Sequence, residues 1–157
     1  MKEVHTMWKN SHYDWLPNQK AIPKQLGEHL PKEYLDKLNP EELDRILLDI
    51  YQYLQLYAVG LEQIVWDQDD YRLGAGKNFS DAEFKLRTVL CEVQVALEER
   101  GVQPRVEVTR AAMSNEYRLL GRSTTYRNVR DWLIFRDYMN GLEFLIEVFD
   151  HLRQKLP

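Results

Sequence analysis

The sequence is poor in residues on which many other folds depend. Of its 157 residues, one is cysteine, seven are glycine and six are proline. The single cysteine, Cys91, cannot form an intrachain disulfide, which excludes a small secreted fold held together by disulfides. The few glycines and prolines provide too few turns for a β-sandwich or a barrel of many strands. The composition therefore favours long helices.

Long apolar runs and a strong charge of one sign are missing as well. No apolar stretch is long enough to span a bilayer, so we expect no membrane insertion. The formal net charge is only −4 at pH 7, so nucleic acid is not an expected partner. The chain length fits one domain. We expect a single helical bundle over 1–157, with a short helix and an irregular crossover in 1–39 and the long-helix core in 40–157.

Positive charge is nevertheless concentrated between Arg105 and Arg130, where there are six arginines and two acidic residues. Such a patch could bind a glycosaminoglycan, a phosphate or an acidic protein surface. Charge runs more often form a solvated face of the protein. The favoured interpretation is therefore a solvated loop beside an acidic helix.

The usual catalytic and metal-binding motifs do not occur. There is no HExxH, GxSxG, CxxC or Walker sequence, and the Gly-Ala-Gly-Lys stretch at 74–77 lacks the spacing of a phosphate-binding loop. The aspartates in 67–70 lack the glycine and glutamate of a calcium-binding loop, so we interpret them as solvated acids. Cys91 is interpreted as a half-buried structural thiol rather than a nucleophile. The sequence predicts no enzyme activity, no metal site and no cofactor.

Helix caps and apolar periodicity predict long helices. Asn39 caps the first, which runs over 40–67 with its apolar residues on one face. A capping box that starts at Ser80 begins the second, over 81–100. Gly101 follows directly and is placed to end that helix.

The last long helix is predicted over 125–155, with Ser123 or Thr124 as its cap. Gly141 lies inside this range, but the apolar period continues in phase across it. We interpret Gly141 as a tolerated weak position or a site of close packing rather than a break. A weaker apolar pattern predicts a shorter helix over 105–120.

The N-terminal region supplies the remaining bundle helix in one interpretation. Residues 3–16 form a short helix in this interpretation, followed by an irregular crossover with one helical turn near 32–38. The connections are then 23, 13 and 24 residues long. Long, short, long is the order of an up-up-down-down bundle, because parallel neighbours need a connection that runs the length of the bundle. An up-down-up-down bundle is the alternative, in which 105–120 forms a full helix and 1–39 wraps around the outside.

Each long helix also carries a second, thinner apolar stripe away from its main face. Such a stripe must be covered, either by the same chain or by a partner. The stripes consist of Leu48, Val59 and Trp66; Phe84, Cys91 and Val95; and Leu133, Phe144 and Val148. The favoured interpretation is that the N-terminal segment and 101–124 cover them. The alternative is that part of this surface binds another protein.

Two stretches resemble a known family. Residues 38–100, which begin Leu-Asn-Pro-Glu-Glu-Leu, resemble the second and third helices of long-chain helical cytokines of the interleukin-6 and ciliary neurotrophic factor type. Residues 142–153, Leu-Glu-Phe-Leu-Ile-Glu-Val-Phe-Asp-His-Leu-Arg, are similar to the final helix of granulocyte colony-stimulating factor and its relatives. The resemblance implies a four-helix architecture and a receptor-binding role.

We therefore expect a secreted, cytokine-like ligand that binds a cell-surface receptor. The alternative is an intracellular, cytoplasmic adaptor or scaffold protein that binds other proteins. Residues 1–5 lack the apolar stretch of a signal peptide, which fits either a cytosolic protein or a mature form with an added initiator methionine. Asn78 begins the one Asn-x-Ser sequon, a candidate glycosylation site consistent with secretion.

The partner-binding surface is predicted on the last helix. Its first candidate is a ridge opposite the core-facing side, formed by Leu133, Asp137, Phe144 and Val148. If a partner covers this ridge, Phe144 anchors the partner; if the N-terminal segment covers it, Phe144 is a core residue. The second candidate is a basic surface that would speed the encounter with an acidic partner. It consists of Tyr126, Arg127 and Arg130.

Overall fold

A computed structural model describes residues 15–17 and 20–155 of the chain. This part is all-helical, with four α-helices and no strand, as the composition predicts. Near 32–38 the chain forms hydrogen-bonded turns. The helix predicted over 3–16 lies almost entirely outside the described residues.

The first long helix, α1, is Pro40–Asp70 and extends beyond its predicted end. Asn39 caps it as predicted. The Asn39 side chain accepts a hydrogen bond from the Glu42 amide, and the Glu42 carboxylate accepts one from the Asn39 amide, both at 2.8 Å. This reciprocal pair satisfies two backbone donors that the start of a helix leaves unpaired.

The second helix, α2, is Gly76–Glu99 and begins earlier than predicted. The predicted capping box was wrong, because Ser80 lies inside the helix and no side chain caps its first turn. Instead, the Gln68 side chain of α1 accepts a hydrogen bond from the Ala75 amide at 3.1 Å. This bond attaches the turn before α2 to the end of α1. Gly101 follows the helix with a φ of +69°, so its role in ending α2 is confirmed.

The prediction of a helix over 105–120 was wrong. The connection between α2 and the last helix contains a 3-10 turn, a short helix that we call α3, and a second 3-10 turn, at Arg110–Ala112, Asn115–Leu119 and Leu120–Arg122. Before these turns the chain lies against α1, where the Val108 amide donates to the Gln55 side chain at 2.7 Å. This bond attaches the part of the connection that precedes Arg110, which contains no helix, to α1.

The last helix, α4, is Thr124–Gln154, close to its predicted range. Ser123 precedes it, but the Ser123 side chain makes no capping bond. Gly141 lies inside α4 without breaking it. A Cβ atom at Gly141 would be only 2.9 Å from Cε2 of Tyr57, so this glycine allows α4 to pack closely on α1.

Contacts between α1 and α4 establish their relative direction. Arg130, near the start of α4, forms an ion pair with Asp67, near the end of α1. Farther along α4, Gly141 meets Tyr57, which lies earlier in α1. The two helices are therefore antiparallel.

The connection from α2 to α4 runs along α1 in the same direction as α1. Arginines of this region pair with acidic residues of α1 in the same order along both segments: Arg100 with Asp44, Arg105 with Asp49, and Arg110 with Glu62. The end of α2 thus lies beside the start of α1, which makes these two helices antiparallel as well. The connection then reaches the end of α1, where α4 begins.

The hydrophobic core lies along α1, which packs against both α2 and α4. Side chains without exposed surface come from all three long helices and include Leu47, Leu54, Leu61, Ile64, Leu86, Val93, Leu97, Ile134 and Val148. α2 buries only Leu86, Val93 and Leu97. Most of the surface of α2 is therefore open.

Candidate functional site

The predicted ridge of α4 divides into a covered half and an open half. In the C-terminal half, Phe144 is 3% exposed and Val148 is fully buried. In the N-terminal half, Leu133 and Asp137 are half-buried. Phe144 and Val148 are thus core residues, which corrects their prediction as anchors for a partner.

The N-terminal segment 20–38 lies against the C-terminal half of α4, where polar bonds attach it to the helix. The Lys24 side chain is 1% exposed, and its ammonium lies 2.7 Å from Oε2 of Glu143 and 2.8 Å from Oδ1 of Asn140. Asn140 donates in return from its amide nitrogen to the Lys24 carbonyl at 3.0 Å. A buried cation requires such partners, so Lys24 is the central attachment of the segment.

Two backbone amides strengthen this attachment. The Gly27 amide donates to Oε2 of Glu143 at 2.9 Å, and the Leu30 amide donates to Oε2 of Glu147 at 3.0 Å. The segment also contributes buried apolar side chains to the core, namely Ile22, Leu30 and Leu35. The C-terminal half of the ridge is therefore covered by the chain itself, which was one of the two alternatives.

Beside the N-terminal half of the ridge, α4 forms an apolar surface around Trp132. The Trp132 side chain is 57% exposed, and Val129 on the same helix and Leu26 from the N-terminal segment are exposed too. We call this area the Trp132 surface, and it consists of Leu26, Val129, Trp132, Leu133 and Arg136. A large aromatic side chain in the open is typical of an interface residue.

A cleft of about 330 Å³ opens beside Trp132, and its lining includes Tyr57, Arg136 and Asp137. The Arg136 guanidinium donates twice to Oδ1 of Asp137, at 2.9 and 2.7 Å. Burial raises the pKa of Asp137, and the charge of Arg136 opposes this effect. Burial and the charge of Asp137 also raise the pKa of Tyr57, so its hydroxyl keeps its proton at neutral pH. The cleft is therefore lined by aromatic side chains and by an ion pair whose two charges cancel each other.

The second candidate surface does not present the charge predicted for it. Arg127 and Arg130 are buried, and Tyr126 is half-buried. The Arg127 guanidinium donates to the Gly121 carbonyl at 2.8 Å and lies 4.7 Å from the centre of the Tyr71 ring. The prediction of a basic recognition surface at this position is corrected, because neither arginine can meet an acidic partner.

Arg130 instead belongs to a buried charge cluster between α1 and α4. Its guanidinium forms ion pairs with Asp67 and with Asp131, the latter at 2.7 Å, and donates to the Arg118 carbonyl at 3.2 Å. Burial alone lowers the pKa of Arg130, but the two carboxylates raise it overall, so Arg130 stays charged. A Cβ atom at Gly121 would lie 3.2 Å from Nη1 of Arg130 and collide with Asp67. Asp67 is therefore not the solvated acid that was predicted, and Gly121 leaves room for the cluster.

Other arginines of this region are also paired within the chain. Arg110 donates twice to Glu62, at 2.8 and 2.7 Å, and Arg118 donates to the Gln63 side chain at 2.6 Å. Both guanidinium groups lie near the Trp66 ring, at 5.3 and 6.0 Å from its centre. The arginines of the connection thus mostly bind side chains of α1.

The second apolar stripes of α1 and α2 differ in exposure. On α1, Val59 is buried, Leu48 is half-buried and Trp66 is 40% exposed. On α2, Phe84 is 72% and Val95 is 49% exposed. Cys91 is exposed as well, which corrects its prediction as a half-buried thiol. We call this line the α2 ridge; its members are Phe84, Thr88, Cys91 and Val95, whose spacing places them on one side of the helix.

Metal-ligating side chains do not gather in groups of three or more anywhere in the described ranges. No helix of residues 20–155 is both long enough and apolar enough to cross a bilayer. Asn78, the candidate glycosylation site, is exposed in the first turn of α2. The chain matches no protein-family model, no curated protein and no solved structure.

Proposed function

We propose that this chain is a helical protein ligand and that a partner protein docks on the Trp132 surface. The observation that carries the proposal is the 57% exposure of Trp132 beside a cleft. Tryptophan and arginine are enriched among the residues that dominate binding energy. Trp132 and Arg136 supply one of each at the same position on α4.

The partner in this proposal is an apolar protein surface rather than a strongly acidic one. Arg136 is neutralised by Asp137, and the arginines at the start of α4 are buried against their own chain. The Trp132 surface therefore carries little net charge that could attract an acidic partner over a long distance. We expect the affinity to depend only slightly on ionic strength.

We further propose that the ligand is secreted, that it is similar to long-chain four-helix cytokines, and that its partner is a cell-surface receptor. The bundle in this proposal is of the up-up-down-down type. Two observations support the up-up-down-down topology. Both α2 and α4 are antiparallel to α1, and the connection between them runs along α1. The second half of an up-up-down-down bundle has this arrangement. In this proposal, residues 3–16 complete the bundle.

An intracellular adaptor is the second candidate function, and the exposure of Cys91 favours it. An exposed thiol is readily oxidised or captured as a mixed disulfide outside the cell, whereas the cytosol keeps it reduced. The Trp132 surface would serve an intracellular partner equally well. The two candidates therefore differ in where the partner is found and not in which residues bind it.

The test uses three forms of the full chain: wild type, Trp132→Ala and Ile146→Ala. Ile146 is 60% exposed on the same helix, so its variant controls for the loss of an exposed apolar side chain. Each form is used to capture proteins separately from surface-labelled cells and from lysate. The affinity of each form for the protein captured by the wild type is then measured by surface plasmon resonance.

We expect Trp132→Ala to weaken binding by about ten-fold or more and Ile146→Ala to weaken it less than about two-fold. A partner recovered from the cell surface supports the cytokine-like ligand, and a partner recovered from lysate alone supports the adaptor. Equal binding by wild type and Trp132→Ala would remove the Trp132 surface from the proposal.

A further inference from the structure

The α2 ridge lies apart from the Trp132 surface and is open along its whole length. Phe84 and Val95 stand near its two ends, with Thr88 and Cys91 between them, and all four are exposed. A continuous line of such side chains along one helix face is typical of a helix–helix interface. The charges around the ridge indicate which helix fits it.

Charges beside the ridge change sign from one end to the other. Lys85 adjoins Phe84, and Glu92 follows two helical turns later on the same edge, toward the other end; both are exposed. Neither forms an ion pair with another described residue. Their neighbour Arg87, in contrast, is paired with Glu83 at 2.5 Å. Lys85 and Glu92 are therefore available to pair across an interface.

The charges at the ends of α2 are opposite to those that its own dipole favours. Its first turn contains Lys77 and no acidic residue, and its last turn contains Glu98 and Glu99 and no basic residue. Acidic residues stabilise the N-terminus of a helix, and basic residues stabilise the C-terminus. An antiparallel neighbour with the same sequence would bring glutamates to the first turn and a lysine to the last.

We propose that α2 is the interface of a two-fold symmetric homodimer, in which α2 of one copy packs antiparallel on α2 of a second copy. The symmetry axis passes between Thr88 and Cys91. In this register Phe84 of each copy packs against Val95 of the other, so one apolar contact occurs twice, as a two-fold interface requires. The ridge is thus complementary to itself.

The same register pairs the charges along one edge of the interface. Lys85 of each copy faces Glu92 of the other, which produces two symmetric attractive pairs. Farther out, Glu99 of each copy lies between Lys77 and Asp81 of the other, where attraction and repulsion offset each other. The Lys85–Glu92 pairs therefore determine the polarity of the dimer.

The dimer is expected to be weak. α2 has 24 residues and is about 36 Å long, so one helix pair provides an interface at the small end of the range for specific complexes. We expect a dissociation constant of micromolar order and a reversible monomer–dimer equilibrium. The population of dimer then depends on protein concentration.

The first test is sedimentation velocity of the full chain over a series of concentrations. We expect Phe84→Ala to raise the dissociation constant by about ten-fold or more, because the substitution removes the largest side chain of the interface twice. Ile146→Ala, which removes an equally open side chain from α4, should leave the equilibrium unchanged. Phe84 is 72% exposed, so its variant should fold normally, as circular dichroism would show.

The second test uses charge reversal. Lys85→Glu and Glu92→Lys each convert both symmetric pairs into like-charge contacts, so each variant alone should dimerise about ten-fold more weakly. Mixed in equal amounts, the two variants should form a heterodimer in which both pairs attract again. The two results together identify the orientation: in a parallel pair, Lys85 would already face Lys85 in the wild type and Glu92 would face Glu92, so neither variant alone would weaken the dimer.

A third measurement uses the only thiol of the chain. The two Cys91 side chains lie on either side of the symmetry axis, so a short bis-maleimide should link wild-type chains efficiently and Phe84→Ala chains poorly. The proposal is overturned if the chain stays monomeric at its highest soluble concentration. A dimer that is unaffected by Phe84→Ala, or charge variants that fail to rescue each other, would overturn it as well.

Discussion

The C-terminal half of α4 is covered by the segment 20–38, whereas its N-terminal half carries an open apolar surface. In the covered half, Lys24 and the carboxylates of Glu143 and Glu147 attach the segment 20–38 to the helix, and Phe144 is buried. In the open half, Trp132 is exposed beside a cleft. Both halves carry large apolar residues at helical spacing, so the apolar pattern alone does not decide burial. The polar side chains that bind the covering segment decide it.

The two halves of α4 also differ in the residues that they bury in the interior. The N-terminal half of α4 buries Arg127 and Arg130, whereas the C-terminal half buries apolar residues such as Leu145 and Val148. A buried ion pair tolerates the loss of one partner poorly, because the remaining charge is left without compensation. The predictions below test this difference and the difference in covering.

The largest effect is expected for Arg130→Met. The change leaves Asp67 and Asp131 without their shared cation in the interior, and we expect the free energy of unfolding to fall by about 4 kcal/mol. Urea denaturation measures this loss. The double variant with Asp67→Leu should recover part of it, because one of the uncompensated charges is then removed. A loss below about 1 kcal/mol for Arg130→Met would show that the cluster contributes little to stability.

Phe144→Ala should lower the free energy of unfolding by about 3 kcal/mol, the usual cost of truncating a core phenylalanine. Ile146→Ala, two residues away but exposed, should change it by less than about 0.5 kcal/mol. Thermal or urea unfolding of both variants provides the comparison. Equal stabilities would mean that Phe144 is not buried in solution.

Lys24→Met keeps most of the apolar stem but removes the ammonium that binds Glu143 and Asn140. We expect a loss of about 2 kcal/mol, typical of a hydrogen bond to a charged group. The covering segment should then open more often. Hydrogen exchange would report this as weaker protection of the Gly27 and Leu30 amides, which donate to α4. Unchanged protection would mean that apolar contacts alone hold the segment.

A smaller, pH-dependent effect is expected at the same attachment. The bonds from the Lys24 ammonium and the Gly27 amide lower the pKa of Glu143 below its ordinary value of 4.5. This carboxylate therefore stabilises the fold above pH 4.5, and the contribution is lost as the pH falls through the lowered pKa.

The difference in stability between wild type and Glu143→Gln isolates this effect. The difference should be largest at neutral pH and should shrink as the pH falls below 4.5. Asp137 has a raised pKa and contributes with the opposite sign, but it is present in both proteins and cancels. A difference that stays constant with pH would show that Glu143 titrates normally.

The smallest change in stability is expected for Trp132→Ala, within about 0.5 kcal/mol. A large loss of stability would mean that the indole is covered in solution by the chain itself. The open half would then be an extension of the core, and the comparison between the two halves would no longer hold.

Local patterns were enough to predict much of the helical architecture. The capping bond of Asn39 joins residues three apart in the chain, and the left-handed conformation of Gly101 is a property of that residue alone. Both depend on the immediate sequence, so both could be predicted. The all-α class, the long helices near 40–67 and 125–155 and the continuation of the last helix across Gly141 follow from periodicity in the same way.

Tertiary contacts decided the features that these patterns missed. α2 begins at Gly76 because the end of α1 binds the turn before it, and the region near Val108, which contains no helix, is attached to α1 by the bond to Gln55. Arg130 is buried because Asp67, far away in the sequence, meets it across the interface between α1 and α4. The attachment of the segment 20–38 at Glu143 likewise depends on Lys24, which is more than a hundred residues away in the sequence. Such partners are brought together only when the chain folds, and no local pattern identifies them.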